Sequence, residues 1–424
     1  MREDRQVASE RLVTLDALRG FAVMGILAMN IVAFAMPEMA YVSPKAYGGE
    51  TRSDIAAWAL GFLLFDGKMR GLFSLLFGAS MVLIIDRAAA SGQDPGSVHY
   101  RRMAWLAVFG LCHYFFLWWG DILFLYAAVG CVAFRFRAWE SRRLIKWALG
   151  IFTLGVVLTS LFFGAQLAVG NAADNPASPM VEAGREVRAE YAKIDGEVTE
   201  ELALYRGPYL PILNSRLDTA INPFVGVLMT ILETLPLMML GMALFRNGFL
   251  TGAWAAADYR RTALRWLPPG VLLTLLVGWL QWRAGFDYLV AVNAFMAWAG
   301  PGRLMMTIAY AALLVLLIRR AATSVWIARV AAAGRAAFSN YLGTSIVMTT
   351  IFYGYGIGLF GDVGRWTLYL VCIAMWAVML LWSKPWLDRF RYGPLEWLWR
   401  SLARGSLQPM RQQPTARPKP VGRR

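Results

Sequence analysis

Long apolar blocks, each about 18–25 residues, recur along the chain between short polar stretches, and this spacing predicts membrane-crossing helices. About ten spans can be laid out. They run near Asp16 to Met36, Ile55 to Ile85, Met103 to Trp119, Ile122 to Phe134 and Trp147 to Val169 in the first part of the chain. Ile221 to Leu244, Leu267 to Trp282, Leu304 to Ile318, Phe338 to Tyr355 and Trp366 to Trp382 follow. The second block is longer than a bilayer requires, which predicts a steep tilt or a break near Gly67 or Gly71. Residues 286–302, apolar but short and ending in Gly300-Pro301-Gly302, suit a re-entrant or interfacial piece.

Between the fifth and sixth blocks the composition changes. Residues 170–220 are polar, rich in Glu and helical in character, and read as a helical extramembrane insert. The expected organisation is a leader at 1–15, a five-helix half at 16–169, the insert, a second transmembrane half at 221–382, an interfacial helix at 383–404 and a disordered basic tail at 405–424. The stretch before the first span is too charged for a signal peptide and lacks a small-residue cleavage site, so the first helix is expected to stay.

The blocks are not uniformly apolar, and the exceptions carry the chemistry. Asp66, Lys68 and Arg70 interrupt the second span, where a charge costs about 2.5–3.5 kcal/mol on insertion scales and needs a partner or water. Asp66 and Arg70 are spaced to pair on one helical face, which suggests a polar cavity into which this helix projects. Glu233, near the centre of the sixth span and just before Pro236, is expected to pair with Lys68 or Arg70 or to be protonated. Asn30 can bond across helices or line the same cavity.

Hydrophobic residues make up 58% of the 424 and charged ones 16%, which places the protein among all-α polytopic integral membrane proteins. The net charge of +15 comes largely from Arg and Lys in alternate short loops beside the blocks, so it speaks for orientation rather than for nucleic acid. Both termini are then cytoplasmic, the insert is extracytoplasmic, and the membrane is the cytoplasmic one. The three cysteines lie in apolar segments without metal or disulfide spacing, and no metal is expected.

His113, in the outer part of the third span, is the strongest candidate for catalysis. Asp121 opens the next helix after the tight turn at Gly120 and can reach back to hold one imidazole nitrogen, leaving the other as a general base. Plainer readings are a structural histidine and a helix N-cap. Asp16 and Arg19 offer an entry for an anionic ligand, or simply an acid favoured by the helix dipole beside a snorkelling arginine. His99 falls in a hydrophilic stretch and carries no assignment; Asn340 and Tyr341 suit packing. In RYGPLEWLWR, Glu396 and Arg400 are spaced to pair on a short helix at the membrane surface, with Trp397 and Trp399 as anchors. P-loop, HExxH and GxSxG motifs are absent.

LDALRGFAVMGILAMNIVAFAMP, FDGKMRGLFSLLFGAS, GLCHYFFLWWGDILFLYAAVG, GRAAFSNYLGTS and YGPLEWLWR, in this order, resemble the YeiB-like membrane proteins, whose C-terminal half is a domain of unknown function. The likeness extends over nearly the whole chain. That family is grouped with transmembrane acyltransferases that include heparan-α-glucosaminide N-acetyltransferase. The resemblance implies transfer of an acyl group, possibly acetyl, from cytoplasmic acyl-CoA to an extracytoplasmic acceptor such as a sugar. In the lysosomal enzyme the proposed catalytic histidine follows the first span; here PEMAYVSP contains none, so either His113 takes that role from another helix or the transfer proceeds without it.

The expectation is therefore an acyltransferase. His113 is its base and Asp121 orients it. Asp16 and Arg19 stand on the acyl-CoA side, and Asp66, Lys68, Arg70, Glu233 and Asn30 contact substrate. Membrane lipid, acyl-CoA and a glycan or lipid-linked acceptor are the expected partners, and a homodimer is allowed. The alternative is a transporter or channel for a small solute or lipid-linked precursor, since buried charges on a broken helix suit a substrate pathway equally well. A structural or assembly role would rest instead on the insert and the tail.

Overall fold

The computed structural model describes residues 2–412, with side chains from Val13 onward except at position 195. The chain forms helices α1 (Arg2–Ala35), α2 (Met39–Val42), α3 (Arg52–Leu64), α4 (Lys68–Ala90), α5 (Pro95–Phe116), α6 (Leu123–Ala133), α7 (Ser141–Ala172), α8 (Val181–Tyr191) and α9 (Ile194–Tyr205). It continues through α10 (Tyr209–Asp218), α11 (Asn222–Arg246), α12 (Ala256–Arg283), α13 (Tyr288–Asn293), α14 (Gly300–Arg320), α15 (Val325–Arg335), α16 (Ala337–Phe352), α17 (Arg365–Arg389) and α18 (Pro394–Arg404). Among the described residues no β-strand is present, so backbone polar groups are paired within helices, as a bilayer demands.

Among the described residues, seven helical segments are long and apolar enough to cross a membrane: Val13–Ala35, Arg52–Ala90, Ser141–Ala172, Asn222–Arg246, Ala256–Arg283, Gly300–Arg320 and Arg365–Arg389. The other three expected spans fall on α5, α6 and α16. Of these, α6 has 11 residues and α16 has 16, lengths of roughly 17 and 24 Å at 1.5 Å per residue. The protein is a multi-pass membrane protein. α1 and α4 run through the middle of the bundle, with Leu18, Ile31, Leu72 and Leu75 fully enclosed. α7 and α12 lie at the edge and present Leu158, Leu161, Phe162, Leu272 and Leu275 outward, a face that suits lipid.

The second span is broken. Phe65, Asp66 and Gly67 separate α3 from α4, and Gly67 takes a left-handed φ of 68°, which glycine adopts without the steric cost of a Cβ. The insert forms α8, α9 and α10 and packs on the ends of other helices: Arg216 donates to the Phe115 carbonyl, Tyr209 to that of Phe116, and Arg206 to that of Phe360. At the opposite end of the bundle the basic loops adjoin one another. Arg246 donates to the carbonyls of Arg137 and Trp139, and Arg319 to that of Trp254.

Two sequence expectations need correction here. VWIARVAAAGR, counted among the loops, is the helix α15, because Ile327, Val330 and Ala331 recur at helical spacing and bury against α1 and α17. His99 lies within α5 and is buried, stacked on Phe134 at 4.8 Å and bonded to the Gly130 carbonyl at 3.0 Å. The tail beyond Gln412, expected to be disordered, lies outside the described residues.

Candidate functional site

At the arginine-rich end, α1, α4, α5, α15, α16 and α18 enclose a cavity of about 420 Å³. Arg19, Arg87, Arg102, Arg335, Arg391 and Arg400 line it, against the carboxylates Asp16 and Glu396. Cations therefore outnumber anions three to one around the opening. Further walls are apolar and aromatic, with Phe73, Phe77, Tyr126 and Tyr341 among them.

Local sequence explains how these groups are held. Asp16 and Arg19 sit one turn apart and pair at 2.9 Å, while the second guanidinium nitrogen of Arg19 donates to Ser80 Oγ at 2.8 Å and ties α1 to α4. α15 can approach this pair because position 334 is glycine: a Cβ there would lie 1.8 Å from the Asp16 carbonyl oxygen. Arg102 stacks on Trp399 at 4.1 Å, and the Trp399 indole donates back to the Arg102 carbonyl at 3.0 Å. Arg102 is half-buried, with the charges of Arg400 and Arg404 beside it. A half-buried cation crowded by cations is a place where an anion gains.

Glu396 and Arg400 do not form the expected pair. The Glu396 carboxylate accepts instead from the backbone N–H groups of Phe338 (2.7 Å) and Ser339 (3.1 Å) and from Ser339 Oγ (2.5 Å), capping the start of α16, where orphan N–H groups and the helix dipole attract an anion. Arg400 lies over the Tyr392 ring at 4.5 Å. α18 thus packs on α5 and α16 and helps wall the cavity.

Beyond the Tyr341 wall lies His113. Its Nδ1 is 2.8 Å from Asp121 Oδ1, and its Nε2 is 2.8 Å from Ser345 Oγ. Leu117 to Ile122 form the tight return that brings Asp121 back, and its other oxygen accepts from the Phe124 N–H at 2.7 Å, so Asp121 both caps α6 and holds the imidazole. Glycine at 110 permits this approach, since a Cβ would meet Phe124 N at 2.2 Å and Asp121 Oδ2 at 2.9 Å. The His113 and Asp121 side chains are 0% and 3% exposed. Tyr341 both lines the cavity and packs on the imidazole, ring centres 5.2 Å apart; its hydroxyl accepts from Ile122 N–H. A carboxylate acceptor makes Nδ1 the protonated nitrogen, which leaves Nε2 to accept from Ser345.

The charges of the broken span go elsewhere. Asp66 does not pair with Arg70, because the break at Gly67 removes the shared helical face. Arg303, on α14, donates to Asp66 at 2.5 and 2.9 Å, and the Tyr41 hydroxyl does so at 3.1 Å. Arg70 pairs with Glu233 at 2.6 Å, one of the two partners expected for that acid. Lys68 is fully buried and donates to the Phe62 carbonyl at 2.5 Å. Asp66 lines a second cavity of about 40 Å³, shared with Tyr41, Gln281, Arg365 and Tyr369. The single polar cavity around these charges therefore divides in two, and α4 meets the larger one through Phe73, Phe77, Ser80 and Arg87. Asn30 is buried and lines neither.

Sequence reasoning missed Arg303, Tyr41, Ser345 and the cavity roles of Arg102, Arg335, Arg391 and Arg400. Arg102 and Arg335 entered only as loop charge, and Arg391 and Arg400 only within the surface-helix motif; Ser345 has no sequence signal beyond one polar residue in an apolar helix.

Residues 244–406 match the family described as "Protein of unknown function (DUF418)". The chain is 31% identical over 396 residues to "Uncharacterized protein YeiB" of Escherichia coli (strain K12), covering 93% of this chain and 96% of that one. It is 30% identical over 416 residues to "Uncharacterized protein YxaH" of Bacillus subtilis (strain 168), covering 95% and 97%. No solved structure matches it. With likeness spanning nearly the full length of both proteins, the chain belongs to the YeiB-like family of membrane proteins.

Proposed function

We propose that this protein is a membrane acyltransferase that takes an acyl group from acyl-CoA in the arginine-lined cavity and delivers it to an acceptor on the insert side. The observation that carries the reading is the amphiphilic character of that cavity: six arginines and two carboxylates, with aromatic walls that include Tyr341, the residue packed on His113. Coenzyme A has matching chemistry. Its phosphates suit guanidinium forks, and its pantetheine arm suits an apolar passage. In this reading the arginine-rich end faces the cytosol, by the excess of basic residues in its loops, and the membrane is the cytoplasmic or inner one.

Within the site, Arg19, Arg102 and Arg400 bind phosphate, with Asp16 holding Arg19 in place. His113 moves the proton and Asp121 fixes its tautomer. Asp66, with Tyr41 and Arg365 in the small cavity, meets the acceptor, while Lys68 and the Arg70–Glu233 pair supply the field between the two cavities.

The test uses purified protein in detergent with acyl-CoAs of graded chain length. Saturable binding and slow release of free CoA are expected, and His113→Ala should remove the release while leaving binding intact. A transporter is the second reading, favoured by ion pairs at and just after a helix break, the buried Asp66 with Arg303 and the half-buried Arg70 with Glu233. Folded protein that neither binds CoA nor releases thiol, yet carries solute flux in proteoliposomes, would establish that reading instead.

A further inference from the structure

His113 has both ring nitrogens engaged. Asp121 takes Nδ1, and Nε2, the nitrogen that would accept a proton, faces the hydroxyl of Ser345 at 2.8 Å. A carboxylate, an imidazole and a serine hydroxyl in series, at hydrogen-bond distance throughout, is the arrangement that activates a serine as a nucleophile, and it is recognised by geometry rather than by chain order. Ser345 is 1% exposed, and its hydroxyl has a further contact, the Tyr341 carbonyl one turn back at 3.3 Å. The hydroxyl carries one proton, so this longer contact, the ordinary way a helical serine satisfies itself, competes with the imidazole for it. The shorter one points at the base.

Position along the helix adds a second argument. α16 begins at Ala337 against the arginine-lined cavity and ends at Phe352, beside Tyr353, which packs on Tyr205 of the insert. At 1.5 Å per residue, Ser345 stands ~12 Å from the first end and ~10 Å from the second. It is a halfway point between the compartment of the donor and that of the acceptor.

Resting on the acyl-transfer reading above, we infer that Ser345 is acylated during turnover, and that the acyl group crosses the membrane as a serine ester. In the first half, the Ser345 proton passes to His113 Nε2 as Oγ bonds to the thioester carbonyl carbon. The carbon–sulfur bond breaks, and the departing sulfur takes the proton from Nε2 to leave as the CoA thiol. In the second half, an acceptor hydroxyl gives its proton to Nε2 and bonds to the acyl carbon; the bond to Oγ breaks and Ser345 regains its proton. Tyr341 lies between cavity and imidazole, so this ring must move to admit the thioester.

Purified full-length protein is incubated with acetyl-, octanoyl- or palmitoyl-CoA in the absence of acceptor, and free CoA and intact mass are followed together. The expected result is a burst of about one equivalent of CoA, with one acyl group gained per chain, mapped to Ser345 and removed by alkaline hydroxylamine. Ser345→Ala should lose burst and adduct while binding CoA as before, and Ser345→Cys should regain an adduct that neutral hydroxylamine cleaves. CoA release at the wild-type rate from Ser345→Ala, with no adduct on the wild type, overturns the acyl-serine while the acyltransferase reading stands. Absence of both CoA binding and release from wild-type protein of unchanged thermal stability overturns both.

Discussion

Asp66 and Arg303, separated by 237 positions in sequence, meet at 2.5 Å in the gap between α3 and α4, with side chains 11% and 6% exposed. The pair binds the helix break to α14. Removing one partner of a buried pair costs about 3–5 kcal/mol, because the other charge is left without compensation. Asp66→Asn should therefore lower resistance to unfolding in detergent–SDS mixtures by that amount, and the double variant Asp66→Leu/Arg303→Met should recover much of the loss. Equal stability of Asp66→Asn and wild type would show that the pair contributes nothing.

Gly67 sets the geometry of that break. Its φ of 68° costs an L residue about 1–2 kcal/mol, and a Cβ would lie 2.3 Å from Cδ of Arg303. Gly67→Ala is expected to destabilise by roughly 2 kcal/mol or more. Gly364→Ala, where a Cβ meets nothing within 4 Å, is the matched control and should unfold like the wild type.

In the cavity, Arg102 has the cations Arg400 and Arg404 close by. Arg102→Gln should weaken CoA binding about tenfold, near 1.4 kcal/mol, and flatten its salt dependence. Titration calorimetry at two ionic strengths measures both, and an unchanged Kd would place the phosphates elsewhere.

On the insert, Glu201 Oε2 accepts from the Glu38 N–H at 2.7 Å, and burial raises its carboxyl to about 7, with the charges of Glu38 and Glu197 adding to the rise. The ordinary value is 4.5, so between the two the folded protein holds a proton that the unfolded chain has lost. Stability must then fall as pH rises from about 4.5 through 7. The loss is on the order of 2 kcal/mol after allowance for partial exposure. Glu201→Gln should remove this part of the pH profile in thermal unfolding; a profile unchanged by the substitution would refute it.

What could be read from the chain depended on range. The return of Asp121 to His113 was visible because eight residues and one tight turn separate them. The break at Gly67 was visible because the apolar block was too long for one span and carried Gly67 and Gly71 among its charges. The partner of Asp66 was not: helical spacing pointed to Arg70, but the break that the same stretch suggested also dissolves the face on which that pair would lie. Arg303 stood in a Gly-Pro-Gly context that suggested only a turn. Arg102 counted as an orientation signal and Arg400 as a partner for Glu396, and nothing local says that α18 folds back to make them walls of one cavity. Glu396 illustrates the same limit, since its capping of α16 outweighs the Arg400 four residues away.

The most direct test of the account is the position of the donor. An electron cryo-microscopy map of the protein with a non-hydrolysable acyl-CoA analogue should show phosphate density against Arg19, Arg102 and Arg400 and the pantetheine arm running to Tyr341. Density on another face of the bundle, or an empty arginine cavity at saturating analogue, would contradict it.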